Sequence, residues 1–529
     1  MRGTPAHKLP RNSPTSPSNC HCRTFQIMPL CARVRLSRCE GLLAGLAAAI
    51  SVAGAAVAQP AALGIAPNPA LLRWDPAIGY GELPNGLRYA VQRNSIPKGG
   101  ISIRLGISAG SFEETDDERG AAHMVEHLAF DDTRAFPDHQ LDLIFAPLHV
   151  TFGHDRNASS DLKQTVYQLD LPSTDASEME VASKWLRDVA EGLTFDDAAV
   201  GRERLVMEAE RTARSSDVLR ALRARMDVFV DGDLRSSARF PLGTPQSLAA
   251  LTPARLKGFY DRWYRPDNAV VVVVGDLPLD VLEQKVKATF GDWTPRGPAG
   301  VRAERQPLSA RRGAEALVLT DKRLPGIAGI CRMAAPDADA TTDQRLKVLL
   351  LRGLWEAILQ QRINIMKSRH DAPFVEATIS DETRPDSLKT CVGIIPTEGQ
   401  EVRAVGMIEA EIRRFAAEGP TEEETDAGLE YVRGSVRSAI SGGAHASNDR
   451  ADEILSRVLD RLARLAPREG LRAFDVLMED TNPASVRAAF ARDWSGWGPL
   501  APVNSPQALS PSAIVAAMTS EAYRSTGVK

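Results

Sequence analysis

Two histidines four residues apart with a glutamate between them, His123-Met124-Val125-Glu126-His127, carry the clearest chemistry in this 529-residue chain. On a helix, that spacing stacks His123 and His127 a turn apart on one face, with Glu126 projecting beside them. Two neutral imidazoles offer a divalent metal two nitrogen ligands, and a catalytic zinc ion wants a third protein ligand and one open position for water. A carboxylate next to that water, Glu126, is a candidate general base. The order His-x-x-Glu-His inverts the commoner zinc-hydrolase motif. With only nine histidines in the chain, a chance match is rare; the competing reading is a helix surface that binds nothing.

The elements that must position this motif begin after a leader. Met1 to Glu40 is rich in Pro, Ser, Arg and Cys without periodicity, and it leads into the uncharged run Gly41 to Ala58. Basic residues, an apolar Ala/Leu/Gly core and the small-x-small ending Ala56-Val57-Ala58 read as a secretory signal cleaved after Ala58, so residues 1–58 are assigned to a leader. The run is too weakly hydrophobic to be read as a lasting membrane anchor. An exported, periplasmic or secreted location follows. Without the leader, 57 basic residues face 67 acidic ones, a formal charge of about -10 that disfavours a nucleic-acid partner. Four cysteines (Cys20, Cys22, Cys31, Cys39) go with the leader. Cys331 and Cys391 remain, and they read as two buried free thiols in strands, with a single bridge as the alternative.

The remaining chain, 43% hydrophobic and 25% charged in overall composition, is ordinary globular material. Asn85-Gly86 between apolar runs predicts a hairpin. Alternation at Ile101, Ile103, Leu105 and Ile107 predicts a half-buried strand. The acidic loop Glu113 to Glu118 precedes the motif helix. A loop with Gly153, Asn157 and Ala158 follows it, then a strand Thr165 to Leu171, a helix near Ala176 to Glu191, and a charged helix near Asp196 to Ser215. The apolar run Ala269 to Val274 predicts a central strand buried on both faces. This gives a first domain over 59–293 and a Pro/Gly-containing linker over 294–313.

Residues 314–500 repeat the first domain at an interval of about 227 residues. Leu388 to Val392 with the helices after it echoes Leu162 to Val166 with its own, so the chain reads as two homologous domains. The fold class is α+β: two α/β sandwich domains, each a mainly antiparallel sheet with helices on one face. The repeat is chemically asymmetric, because the helix from about Thr342 to Gln360 has no histidine and Glu210 falls on Arg437. The metal belongs to the first domain alone. From Trp494 through Pro502 regular structure is expected to fade into a tail, 501–529, with a short helical segment near Ser510 to Ala522.

With these residues assembled, the chain resembles the insulinase/pitrilysin family of inverzincin zinc peptidases over about residues 75–500. The matching stretches are Asn85-Gly86-Leu87, Ala109-Gly110-Ser111, His123 to His127 with Leu128 and Phe130, Asn157-Ala158, Thr165-Val166-Tyr167, Tyr264-Arg265-Pro266-Asp267-Asn268 and Val274-Gly275-Asp276. The resemblance implies one Zn²⁺ held by His123, His127 and Glu210, with Glu203, seven residues before Glu210, orienting a ligand. It implies Glu126 as the base that takes a proton from the attacking water and returns it to the leaving amine. It implies that Asn157 and Ala158 hold an extended peptide beside an edge strand. Glu208, two residues from Glu210, is expected on a different helix face. His139, His149, His154, His370 and His445 match no ligand pattern and read as surface or loop residues.

One departure matters. Relatives that complete their own site carry an Arg and, seven residues later, a Tyr that clamp the substrate; here the positions hold Lys367 and Phe374. The resemblance therefore points to the amino-terminal catalytic half of long-form bacterial periplasmic members, needing a partner subunit or a second copy to supply the Arg/Tyr clamp. The alternative function is a non-catalytic scaffold subunit of an insulinase-type assembly.

Overall fold

Two sheets, each covered on both faces, organise the computed structural model, which describes residues 75–137, 140–305, 307–309, 311–336, 342–441, 445–460 and 465–523. The leader 1–58, with its expected signal and four cysteines, and His139 lie outside the described residues. The first sheet contains β1 (Ile78–Glu82), β2 (Arg88–Arg93), β3 (Ile101–Ile107), β4 (Arg156–Ser160), β5 (Thr165–Leu171) and β6 (Ala269–Gly275). Their order is β1-β2-β6-β3-β5-β4, and only β2 and β6 run parallel. The second sheet contains β7 (Glu315–Leu319), β8 (Ile327–Ala334), β9 (Phe374–Thr383), β10 (Leu388–Pro396) and β11 (Trp497–Asn504), in the order β7-β11-β8-β10-β9. Both are mainly antiparallel sheets with helices packed against them, the expected α+β architecture.

The valine run of β6 explains how the halves join. Val271 and Val273 point into the first domain's own core, with Met124, Val125, Leu128 and Trp185. Val270, Val272 and Val274 point the other way, onto Ala451, Ile454, Leu455 and Val458 of the helix Ser447–Leu459. The exchange is reciprocal. Val230 and Leu234, in and after the helix Val218–Asp231, pack on Cys331, Met333, Trp497 and Leu500 of the second sheet. Each domain covers one face of its sheet with its own helices and the other face with a helix from its neighbour. Arg104, buried on the contact face of β3, adds an ion pair to Asp452 at 2.5 Å and another to Asp170 at 2.7 Å.

Three expectations are corrected. Cys331 and Cys391 are a disulfide, not free thiols. The β8–β10 register sets them directly opposite each other, which no local pattern reveals. Asn157 and Ala158 lie on β4, an edge strand, and not in a loop; its sequence, Arg-Asn-Ala-Ser-Ser, has no apolar alternation to betray it. The chain after Trp494 does not lose regular structure: Trp497–Asn504 forms β11, inside the second sheet and across the expected boundary at residue 500. Pro499 and Pro502 disguise it, and the register shifts between Trp497 and Leu500, where a bulge tolerates a residue that cannot donate. The helix Pro511–Thr519 follows, buries Ile514 and packs on the second core.

The disulfide closes 60 residues of chain. Cys391→Ser is expected to lower unfolding free energy by about 2–4 kcal/mol. Denaturant melts of both forms, with and without reductant, check this: reductant should shift the wild type and leave the variant unmoved.

Candidate metal centre

The motif helix, Ala121–Leu128, is held from three sides. Its core face, Ala121, Met124, Val125 and Leu128, is at most 1% exposed. At its start Gly120 adopts φ 94°, where an added Cβ would meet Leu248 Cδ2 at 2.8 Å. Gly120 supplies no side-chain cap. Glu114 does so from six residues upstream: its Oε2 accepts from Gly120 N and its Oε1 from Ala122 N, both at 2.9 Å. Just past the helix, Trp185 Nε1 donates to Ala129 O at 3.0 Å. The acidic stretch Glu113 to Glu118 reads from the sequence only as a loop; Glu114, one of its two buried acids, is a cap. A carboxylate shortly before a helix that starts at a glycine is the signal that could have found it.

The second helix, Asp197–Ser216, is capped by Asp196, whose side chain accepts from Ala199 N. Val200 and Met207 bury their side chains, and the same face carries Glu203 and Glu210, seven residues and about two turns apart. Arg204 fastens this helix by donating from Nε to Leu248 O at 3.0 Å and from Nη2 to Leu251 O at 2.9 Å.

These helices bring the expected donors together. Among the described residues, His123, His127 and Glu210 form the one group of His, Cys, Asp and Glu whose ligand atoms all lie within 4.8 Å of one another. His123 Nε2 and His127 Nε2 are 3.1 Å apart, and Glu210 Oε2 is 3.7 Å from the first and 3.8 Å from the second. A tetrahedral zinc ion with bonds of about 2.0–2.1 Å sets its donor atoms a little over 3 Å apart, so the triangle fits. Glu210 Oε1 is paired with Arg214. Glu208 is not in the group.

The polar atoms around this triangle also fit a cation. Glu203 Oε2 lies 2.9 Å from His127 Nδ1, so the Nε2 lone pair faces the other donors when Nδ1 carries the proton. Burial pushes the His123 imidazole down to about 4, with the neighbouring His127 adding to the effect, so it stays neutral and free to ligate. At His127 burial also acts downward, but the Glu203 hydrogen bond and the carboxylates of Glu126 and Glu210 outweigh it and raise the value. Glu126 is only 7% exposed, and burial pushes its carboxyl above the ordinary range against the Ser160 hydrogen bond. Its Oε2 and His123 Nδ1 are buried without a protein partner. Buried orphans of this kind are uncommon unless the site serves a ligand.

Asn157 and Ala158 sit beside the motif helix on β4, whose Ser160 Oγ lies 3.5 Å from Ala122 O. Ala158 N donates to Asn157 Oδ1 at 2.9 Å. The other histidines stay apart: His154 pairs with Asp155, His149 sits at φ 57° after a short turn, and His370 is exposed. His445 offers its backbone oxygen to Asn94. Lys367 Nζ pairs with Glu376 at 2.6 Å, and Phe374 is buried in the second core, so neither residue forms a clamp in this chain.

Among the described residues, the one such donor group lies in the first of the two sandwich domains. Residues 89–231 match the insulinase family (Peptidase family M16) and residues 250–431 match the peptidase M16 inactive domain, so the chain belongs to family M16. It is 35% identical over 224 residues to a probable zinc protease PqqL of Haemophilus influenzae, covering 42% of this chain and 24% of that protein. Against the probable zinc protease PqqL of Escherichia coli it is 32% identical over 300 residues, 56% of this chain and 32% of the relative. In fold it matches the first half of the periplasmic protease PqqL from Escherichia coli, with TM-score 0.76, 23% identity, and coverage of 87% and 99%. Against the longer PqqL structure the TM-score is 0.75 at 24% identity, and the match takes in 87% of this chain but 51% of that one. The chain thus spans about half of that structure and less of the curated relatives. No helix among the described residues is long and apolar enough to cross a membrane.

Proposed function

We propose that this chain is a zinc-dependent endopeptidase of the periplasm that hydrolyses short or unfolded peptides bound in extended form. The observation that carries the reading is the convergence of His123, His127 and Glu210, with the buried Glu126 carboxyl, its Oε2 without a protein partner, beside them. Zinc held by those three residues supplies the Lewis acidity that activates water and polarises the scissile carbonyl. Glu126 Oε2 receives the proton of the attacking water and passes it to the leaving amine nitrogen. Glu203 holds His127 in the ligating tautomer. The outer edge of β4 offers the peptide main chain a strand to pair with, and the Ala158 N to Asn157 Oδ1 contact is the one an incoming carbonyl replaces.

The site is completed by a partner half or a second copy, because Phe374 is buried and has no hydroxyl to offer while Lys367 is committed to Glu376. The periplasmic location rests on the leader reading and on the PqqL structures described as periplasmic. The test is hydrolysis of a mixed set of unfolded peptides by the mature chain, measured across its self-association range and with a supplied carboxy-terminal half. Activity is expected to rise steeply on assembly. Full activity in a lone monomer contradicts the partner requirement and leaves the metal chemistry standing.

A further inference from the structure

We infer that Asp386, in the zinc-less second domain, is a positioning residue for the metal centre of the first. The inference rests on the metal reading above and concerns what holds the motif helix in place.

The path is a series of direct contacts. Glu114, 0% exposed, caps the motif helix with both carboxylate oxygens. Its backbone oxygen is gripped by two arginines, Arg235 Nη2 at 2.6 Å and Arg239 Nε at 3.0 Å. Arg235 Nε also donates to Phe112 O at 2.9 Å, while Ser111 Oγ donates to Arg239 O at 2.6 Å. Both arginines belong to the single-turn helix Arg235–Ala238 and the residue after it. One turn cannot stabilise itself, since helix nucleation costs more than its one or two hydrogen bonds return. Its own N-cap, Leu234, has no side chain able to accept.

The acceptor comes from the other domain. Asp386, 1% exposed, lies in the turn between β9 and β10, and its Oδ2 accepts from Ser236 N at 2.9 Å. Ser387 Oγ steadies it by donating to Oδ1 at 3.2 Å. The same turn sends Arg384 Nη1 to Asp231 Oδ2 at 2.5 Å, and Lys389 on β10 reaches Asp231 Oδ1 at 3.3 Å, so the chain entering the short helix is fixed too. Ser236, Arg239 and Glu114 are all buried, and the packed path runs from Asp386 to within one residue of His123. Removing the Asp386 carboxylate leaves the buried Ser236 N–H unpaired, frees the arginine pair and loosens the cap that sets the height of the imidazoles. Metal sites register such displacements: losing a group hydrogen-bonded directly to a ligand lowers metal affinity about 10–100-fold, and Asp386, several contacts further out, belongs at or below the lower end of that range.

The test is zinc affinity, measured by chelator competition on the mature chain, together with kcat and KM on one peptide. Asp386→Ala is expected to weaken zinc binding about tenfold and to lower kcat while KM holds. Asp386→Asn, which keeps an acceptor oxygen, should recover most of both. Arg235→Ala breaks the path at its half-buried midpoint, without unpairing any group of the second domain, and should weaken zinc binding as well. Asp452→Ala is the control: it removes a different domain-to-domain contact, the ion pair to Arg104, and should lower the melting temperature with zinc affinity unchanged. Unchanged affinity in both Asp386→Ala and Arg235→Ala overturns the inference, and so does an equal loss in Asp452→Ala. If Asp386→Ala does not fold, Arg235→Ala decides alone. Absence of zinc from the wild type removes both this inference and the function it rests on.

Discussion

Glu126→Gln is expected to lower kcat/KM for peptide hydrolysis by about 10³-fold, within the range of about 10²–10⁴ that a positioned base contributes. The substitution keeps the size and the Ser160 contact and removes the proton acceptor. It should not disturb the metal, because Glu126 stands outside the His123, His127 and Glu210 group. Nor should it cost stability. The Glu126 carboxyl is 7% exposed and its Oε2 has no protein partner, so ionising it there is unfavourable, and a neutral amide relieves that cost. The checks are steady-state kinetics, zinc content and a thermal melt on one preparation. A variant that keeps its activity removes Glu126 from the chemistry; one that loses zinc together with activity shows that Glu126 supports binding of the ion instead.

Glu210→Ala is expected to weaken zinc binding by more than the roughly 100-fold that loss of an outer contact can cost, leaving the purified chain largely without metal and without activity. Glu203→Gln should fall inside that outer-contact range of about 10–100-fold, because Glu203 touches His127 Nδ1 and not the donor triangle. The contrast in chelator-competition affinities separates the two carboxylates, whose different roles are legible in the sequence only through the family resemblance. Glu210→Ala also frees Arg214 from its ion pair. Its guanidinium sits on an exposed helix face, so the change in stability should be small. Similar zinc losses in the two variants would mean that both carboxylates, or neither, reach the ion.

Much of the first domain can be read from residue order, because its signals are local. The valine run marks β6, and alternation marks β3 as a strand but not its burial: the expected half-buried strand is buried on both faces, because the helix Ser447–Leu459 of the other domain covers the side that carries Ser102 and Arg104. An amphipathic period marks the helix Ala176–Glu191, and the four-residue spacing stacks His123 and His127 on one helix face, whereas Glu203 and Glu210 are singled out only by the family resemblance. What stays hidden is set by pairing between distant segments. The Cys331–Cys391 bridge depends on strand register, the polar strand β4 on its neighbour β5, and β11 on a sheet that tolerates its prolines. The exchange of helices between domains is equally silent. Ser447–Leu459 is amphipathic, but nothing in its composition says that its apolar stripe belongs on the other domain's valines.

Glu114 is the instructive omission at the site. Read in order, it is one acid in a run from Glu113 to Glu118, and such runs usually face water. Folding singles it out by turning it under the motif helix, where two backbone N–H groups with no helical acceptor need one. Arg235 and Arg239 were equally unmarked, since their partner is a backbone oxygen more than a hundred residues away.

The most direct test of the central claim is the metal content of the mature chain, purified without added metal, for the wild type beside a His123→Ala/His127→Ala variant. One zinc per wild-type chain and none in the variant is the predicted result. A wild-type chain that takes up no zinc even when it is supplied, or a double variant that keeps it, contradicts the assignment of these side chains as a peptidase metal centre.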